Sequence, residues 1–208
     1  MQQVSEDLES IAGWCCANHL LINPAKTKLV LFGTRQLVSK LPDVTVSFLG
    51  KQLCPVSSAK DLGVTLDSSL TFNNHISSLS SSLQSSLCQI SRVRLLFSKE
   101  FLYVMINSIA FSKLFYCSAV WAGPYKQNIH KLQLMQNFTA RILTDTGKYD
   151  HITPAPKALG WLTIEEQLWL RDVTMMYKCD LSDYTGPGGQ LFPPPPQLAT
   201  VLPGCEAK

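Results

Sequence analysis

From Asn74 onward the character is all-helical, whereas before it a helix and short extended segments mix; this change of period constrains the fold more than any other feature. Ile76, Leu79, Leu83, Leu87 and Ile90 recur every three or four positions, which puts one apolar stripe on a helix. The opposite face is nearly all serine (Ser78, Ser81, Ser82, Ser85), a weak helix former, so packing must hold this helix. Arg92 and Arg94 fall in its last turns, where positive charge complements the helix dipole. Ser98 caps a second helix predicted to reach about Ala119, ahead of a Gly123-Pro124 break. A third is predicted over 127–143, with Ile129, Leu132, Met135, Phe138 and Ile142 on one face. Pro156 opens a short helical turn that Gly160 closes. Thr163 and Glu166 then form a capping box for a final helix carrying Leu168, Met175 and Met176.

Ahead of Asn74 the reading is mixed. A helix starts at about Ser5, with Val4, Leu8, Ile11 and Cys15 at helical spacing. It is expected to end near Leu21, because Pro24 pushes Asn23 out of the helical region. Three extended segments follow: Thr27 to Phe32, Val44 to Leu49 and Leu62 to Leu66, with a Leu41-Pro42-Asp43 turn and glycines at 33 and 50. The expected class is α+β: a helix with short antiparallel strands over 1–70, a helical bundle over 71–180, and a tail over 181–208. The tail, with Gly186-Pro187-Gly188-Gly189 and Pro193 to Pro196, cannot build a packed core and is expected to be disordered.

Composition excludes several functions. The charged fraction is 16%, below the usual value of about 25%, and serine takes up much of the difference. A net charge of +3 neither argues for nucleic-acid binding nor forbids it. The seven cysteines have no regular spacing, which argues against a disulfide framework and for an intracellular chain, nuclear or cytoplasmic. The first residues lack the basic start and apolar core of a secretory signal. The most apolar stretch, 101–122, is interrupted by Asn107, Ser108, Ser112 and Lys113, so a buried helix and no membrane contact is expected. Cys16-x-x-His19 has no second pair to complete a zinc site, and no metal is expected. His75 and His151 stand apart from any nucleophile, and no glycine-rich phosphate loop occurs.

Five blocks in order carry a resemblance. They are Trp14-x(3)-Asn18-x-Leu20-x-Ile22-Asn23-x-x-Lys26-Thr27, then Lys60-x-Leu62-Gly63-Val64-x-Leu66-Asp67, then Phe72 with His75-Ile76. Tyr116 with Val120-Trp121, and Leu159-Gly160-Trp161-Leu162-Thr163-Ile164, complete the set. Together, over roughly Val4 to Tyr177, the chain resembles the reverse transcriptases of non-LTR (LINE-type, jockey-like) retrotransposons. The resemblance implies a partial polymerase palm followed by a thumb-like bundle. It implies that Lys26 approaches a nucleotide triphosphate and donates a proton to the leaving pyrophosphate; a surface lysine is the alternative. It implies that Leu62 and Gly63 form a primer grip, although a simple hairpin glycine accounts for Gly63 equally well. Arg92, Arg94 and Lys99, with Lys113 or Lys126, would meet phosphates of an RNA–DNA hybrid or RNA template, read by shape. Solvated helix ends are the alternative. Trp121 and Trp161 read as core.

The family's polymerases hold magnesium with paired aspartates on a hairpin directly ahead of a helix like that starting at Ser5, and a third aspartate farther upstream. No Asp-Asp pair occurs in these 208 residues. No cofactor is expected in this chain, magnesium only in an intact parent, and the chain is not expected to polymerise DNA alone. Its partners would be hybrid or template and the missing palm and fingers half. A non-enzymatic hybrid-binding module and a decayed element product with no selected function are the alternatives.

Overall fold

The computed structural model describes residues 2–41, 44–123, 126–147 and 149–184. Of the tail expected over 181–208, residues 185–208 lie outside them, as do parts of the two proline turns at 42 and 124, whereas 181–184 are helical and not the start of a tail. Helix α1 spans Gln2–Ala17 and stops before the predicted Leu21. Its end is closed from within: His19 adopts a left-handed φ of 57°, the Leu20 N–H reaches the Cys15 carbonyl at 2.8 Å and the His19 N–H reaches that of Cys16 at 3.0 Å. These two bonds satisfy the last carbonyls before Pro24 can act. The Asn23-Pro24 turn is separate, its Asn23 Oδ1 accepting the Ala25 N–H at 2.9 Å.

Residues 27–32 are not the predicted strand. Leu29 makes one isolated parallel bridge to Pro55, and Gly33 donates to the Ser68 carbonyl at 3.0 Å. Pro55 has no N–H to carry a ladder onward. After the short α2 (Arg35–Val38), the chain makes two antiparallel hairpins instead: β1 (Val46–Phe48) with β2 (Lys51–Leu53), and β3 (Ser58–Asp61) with β4 (Val64–Asp67). The expected segments Val44 to Leu49 and Leu62 to Leu66 therefore contain strands, and β2 and β3 are two further strands that the residue pattern does not announce. Lys51, Gln52, Ser58 and Asp61 have little strand propensity, and pairing overrides it.

Asp67 joins the second hairpin to the helical part. Its carboxylate accepts the Thr71 N–H (3.1 Å), the Thr71 hydroxyl (2.9 Å) and the Phe72 N–H (2.8 Å) at the start of α3 (Asn73–Val93). Burial acts to raise its pKa, but these bonds outweigh it and hold the carboxyl below its usual range.

The helical part packs as its periodicity requires. Helix α4 (Lys99–Ile106) begins at Ser98, whose side chain accepts the Phe101 N–H. It runs through a π-helical turn (Asn107–Phe111) into α5 (Ser112–Leu114). The predicted continuation to Ala119 fails because Cys117 takes a left-handed φ of 49°, which starts the separate α6 (Ser118–Trp121). Helices α7 (Lys126–Thr144), α8 (Pro154–Ala158) and α9 (Ile164–Tyr184) complete the order. Ile76, Leu83, Leu87, Ile106, Leu132 and Ile164 are each 1% exposed or less and form the centre of the core. Each such side chain contributes about 1.5–3 kcal/mol on burial. Trp121 is buried in this core and Trp161 packs against it, edge-on to Phe111. Gln136 is fully buried with its amide satisfied: it donates to the Leu162 carbonyl (2.9 Å) and accepts from Gln133 (2.7 Å). On α9 Leu168 is buried, whereas Met175 and Met176 are exposed. Among the described residues no helix is long and apolar enough to cross a membrane.

Candidate nucleic-acid interface

The block Lys60-Asp61-Leu62-Gly63-Val64 becomes the tip of the second hairpin. A two-residue turn between twisted strands needs positive φ at both positions, and Leu62 (43°) and Gly63 (91°) supply it. Glycine adopts this freely, whereas a leucine there carries about 1–2 kcal/mol of strain. Leu62 is 82% exposed at the tip. The strained turn is clasped from the helical side. The Tyr116 hydroxyl donates to the Leu62 carbonyl at 2.9 Å, and a Cβ on Gly63 would lie 3.2 Å from the Tyr116 ring. Tyr116 is itself fixed, because the Trp121 indole N–H donates to its carbonyl at 2.8 Å. The side chain of the neighbouring Cys117 raises the Tyr116 phenol above its usual range, so it stays an O–H donor.

Beside the turn lies an open groove of about 320 Å³ between the hairpin, α3 and the α5 end. Lys60 and Thr65 face each other in the ladder and line one wall. Ser78 and Ser82, one helical turn apart on α3, line another, with Lys113 and Tyr116 opposite. The Lys113 ammonium donates to Ser86 Oγ at 3.3 Å. His75 is buried at the groove's edge, 6.0 Å from the Trp121 ring, and its Nδ1 accepts the Thr65 N–H at 3.4 Å. Burial, reinforced by the charge of Lys60, lowers its pKa, so the ring is neutral at physiological pH. No carboxylate lines the groove.

The residues singled out from sequence are only partly gathered here. Gly63 and Lys113 line the groove, and Leu62 stands at its rim turn; Lys26, Arg92, Arg94 and Lys99 do not line it. Lys26 is exposed in the turn that Asn23 organises. Arg92 and Lys99 are exposed at facing ends of α3 and α4, and Lys126 is exposed at the start of α7. Arg94 is engaged elsewhere: it pairs with Asp145 at 3.1 Å and donates to the Ser91 carbonyl at 3.2 Å. Tyr116, His75 and the serines were not read as site residues. Their one signal was the four-residue recurrence of Ser78, Ser82 and Ser86, which places three hydroxyls on one helix face.

The carboxylates show no fit to a magnesium site. Among the described residues no three of His, Cys, Asp and Glu converge as metal ligands, and Asp67 and Asp145 are committed to a cap and an ion pair. Cys16 and His19 meet through backbone only, at the end of α1.

No protein-family model matches this chain, and no solved structure matches it. The chain is similar to the probable RNA-directed DNA polymerase from transposon BS of Drosophila melanogaster, with 28% identity over 169 residues. The match covers 79% of this chain and 18% of that protein, so the chain spans less than a fifth of its relative. The similarity supports a reverse-transcriptase-related origin.

Proposed function

We propose that this chain is a fragment of an RNA-directed DNA polymerase from a non-LTR, LINE-type retrotransposon. In this reading residues 1–70 are the rear of its palm and 71–180 its helical thumb region. The observation that carries the reading is the similarity to a transposon polymerase running through 79% of the chain. The geometry supports it in one respect. The block that resembles a primer grip forms an exposed turn, held rigid from below, at the rim of a groove without carboxylates. Such a turn can bring backbone close to a nucleic-acid strand.

The fragment is proposed to be inactive in polymerisation by itself and to retain a grip on RNA–DNA hybrid through Leu62, Gly63, Arg92 and Lys99. Arg94 contributes less, because Asp145 already neutralises it. Lys26 would act on a nucleotide only beside the magnesium-binding half of a polymerase. That half is the proposed partner, and the 99% exposure of Leu21 beyond α1 favours one. Fluorescence anisotropy with a labelled hybrid across a salt series tests the reading. Affinity is expected to fall with salt at a logarithmic slope of about 0.9 per phosphate neutralised, for a few phosphates. Binding indifferent to salt, or none, sinks the grip; primer extension by the purified chain alone sinks the inactive assignment.

A further inference from the structure

We propose that the groove between the β3–β4 hairpin, α3 and α5 is a phosphate-binding site, with Lys60 and Lys113 as its cations and Thr65, Ser78 and Ser82 as hydroxyl donors. That its phosphate belongs to a nucleic-acid strand rests on the hybrid-grip reading above; that it takes phosphate does not.

The chemistry of the walls selects the ligand. Two ammonium groups and no carboxylate exclude a cation, and the lining is as polar as it is apolar, with Leu79 and the His75 and Tyr116 rings beside the ammonium and hydroxyl groups. Hydroxyls on two walls suit a ligand rich in acceptor oxygens and poor in donors. Phosphate meets both conditions. Lysine also suits it as a point charge on a flexible stem, needing no fixed fork.

The positions are fixed although the lysine tips are not. The ladder holds Lys60 opposite Thr65, and α3 spaces Ser78 and Ser82 by one turn. Lys113 lines the groove and its ammonium donates to Ser86 on the same helix α3 that carries Ser78 and Ser82, so it needs only to exchange a serine hydroxyl for a phosphate oxygen. The volume of about 320 Å³ and the openness of the groove admit a phosphate within a strand as readily as a free one.

His75 provides a readout that does not depend on the hybrid reading. Its Nδ1 accepts from Thr65, so the neutral ring carries its proton on Nε2. The charged or titratable groups that line the groove with it are Lys60 from β3, Lys113 from α5 and Tyr116, none of them acidic. An anion among them shifts the His75 ring resonances and raises their titration midpoint.

The experiment uses the whole 208-residue chain. His75 is followed by NMR while inorganic pyrophosphate, and separately a short RNA–DNA hybrid, is added. The Lys60→Ala/Lys113→Ala double variant is compared, with Lys60→Arg/Lys113→Arg as the charge-preserving variant and Lys51→Ala on the other hairpin as control. The three positions, Lys51, Lys60 and Lys113, are all exposed lysines, and circular dichroism checks that each variant folds. The expected result is a saturable His75 shift with hybrid, binding about tenfold weaker in the alanine pair, a salt slope lower by about one to two, and near-normal binding in the arginine pair. A shift with pyrophosphate but not with hybrid keeps the site, assigns it to free phosphates and removes the strand. Equal hybrid binding by wild type and the alanine pair overturns the site while leaving the grip reading intact. A His75 that responds to neither ligand overturns the site.

Discussion

The two hairpins carry the same turn and put it to different uses. Phe48-Leu49-Gly50-Lys51 and Asp61-Leu62-Gly63-Val64 both place leucine then glycine at positive φ, at 47° and 76° in the first, 43° and 91° in the second. Around Gly50 there is open space, with nothing within 4 Å of an added Cβ. Around Gly63 the Tyr116 ring closes in, and the Tyr116 hydroxyl holds the Leu62 carbonyl. Identical local chemistry thus yields a free turn and a clasped one. The difference lies 54 residues away in sequence, in a tyrosine whose place is set by the break between α5 and α6.

The sharpest way to break the comparison is to add one methyl to each glycine. Gly50→Ala meets only the strain of positive φ, about 1 kcal/mol. Gly63→Ala meets that strain and the Tyr116 ring at 3.2 Å, so about 2 kcal/mol or more is expected. Urea denaturation of the two variants measures this directly. Equal losses mean that Tyr116 does not clasp the turn in solution.

A second asymmetry is the acid that ends the second hairpin. Asp67, the last residue of β4, bonds two backbone N–H groups and a hydroxyl at the head of α3, whereas Leu53 ends β2. Asp67→Ala is expected to cost about 1–2 kcal/mol. Its pH signature has a definite sign. The folded carboxyl titrates below its unfolded value, so its stabilisation is complete above about pH 4 and is lost as pH falls through the folded value. Asp67→Asn flattens that part of the acid limb. His75 contributes at milder acidity: its pKa is lowered in the fold, so stability is full above about pH 6.5 and declines below it as the unfolded chain gains the proton. Denaturation midpoints from pH 7 to 3 that fall by the same amount in Asp67→Asn as in wild type would remove Asp67 from this account.

Tyr116→Phe tests the clasp without changing packing. Losing one hydrogen bond to a carbonyl costs about 1 kcal/mol, less if water replaces the hydroxyl at this exposed site. Amide exchange is the more telling readout: it is expected to quicken at Gly63 and Val64 and to stay unchanged at Gly50 and Lys51. A quickening shared by both hairpins would mean a global loss of stability.

How much of this was legible depends on distance along the chain. The helices were, because their signals are local: Ile76, Leu83, Leu87 and Ile90 lie buried as their spacing required. The Thr163–Glu166 box forms in both directions, with Glu166 Oε2 accepting the Thr163 N–H at 2.8 Å and Thr163 Oγ1 accepting the Glu166 N–H at 3.3 Å. The end of α1 was misplaced because His19, a non-glycine residue, takes the left-handed position that closes it. Leu62 and Gly63, expected at the start of an extended segment with a hairpin glycine as one account of Gly63, form the turn ahead of β4 instead. The groove was not legible, since it gathers side chains from 60–65, 75–82 and 113–116, and no single window holds more than one wall. Arg94 misled for the same reason, its partner Asp145 lying 51 residues on.

The smallest effect concerns the leucines themselves. Asparagine tolerates the left-handed region far better than leucine and is the preferred first residue of such a turn. Leu49→Asn and Leu62→Asn are each expected to relieve strain and stabilise the chain by about 0.5 kcal/mol, with little burial forfeited because both side chains are largely exposed, 51% and 82%. The gain should be smaller at 62, where Tyr116 already holds the turn by its carbonyl and strain relief has less motion to quench. In the Tyr116→Phe background that difference should vanish, which a double-mutant cycle on denaturation midpoints resolves. If Leu62→Asn destabilises while Leu49→Asn stabilises, the leucine side chain at 62 makes a contact within the fold that outweighs the strain of the turn.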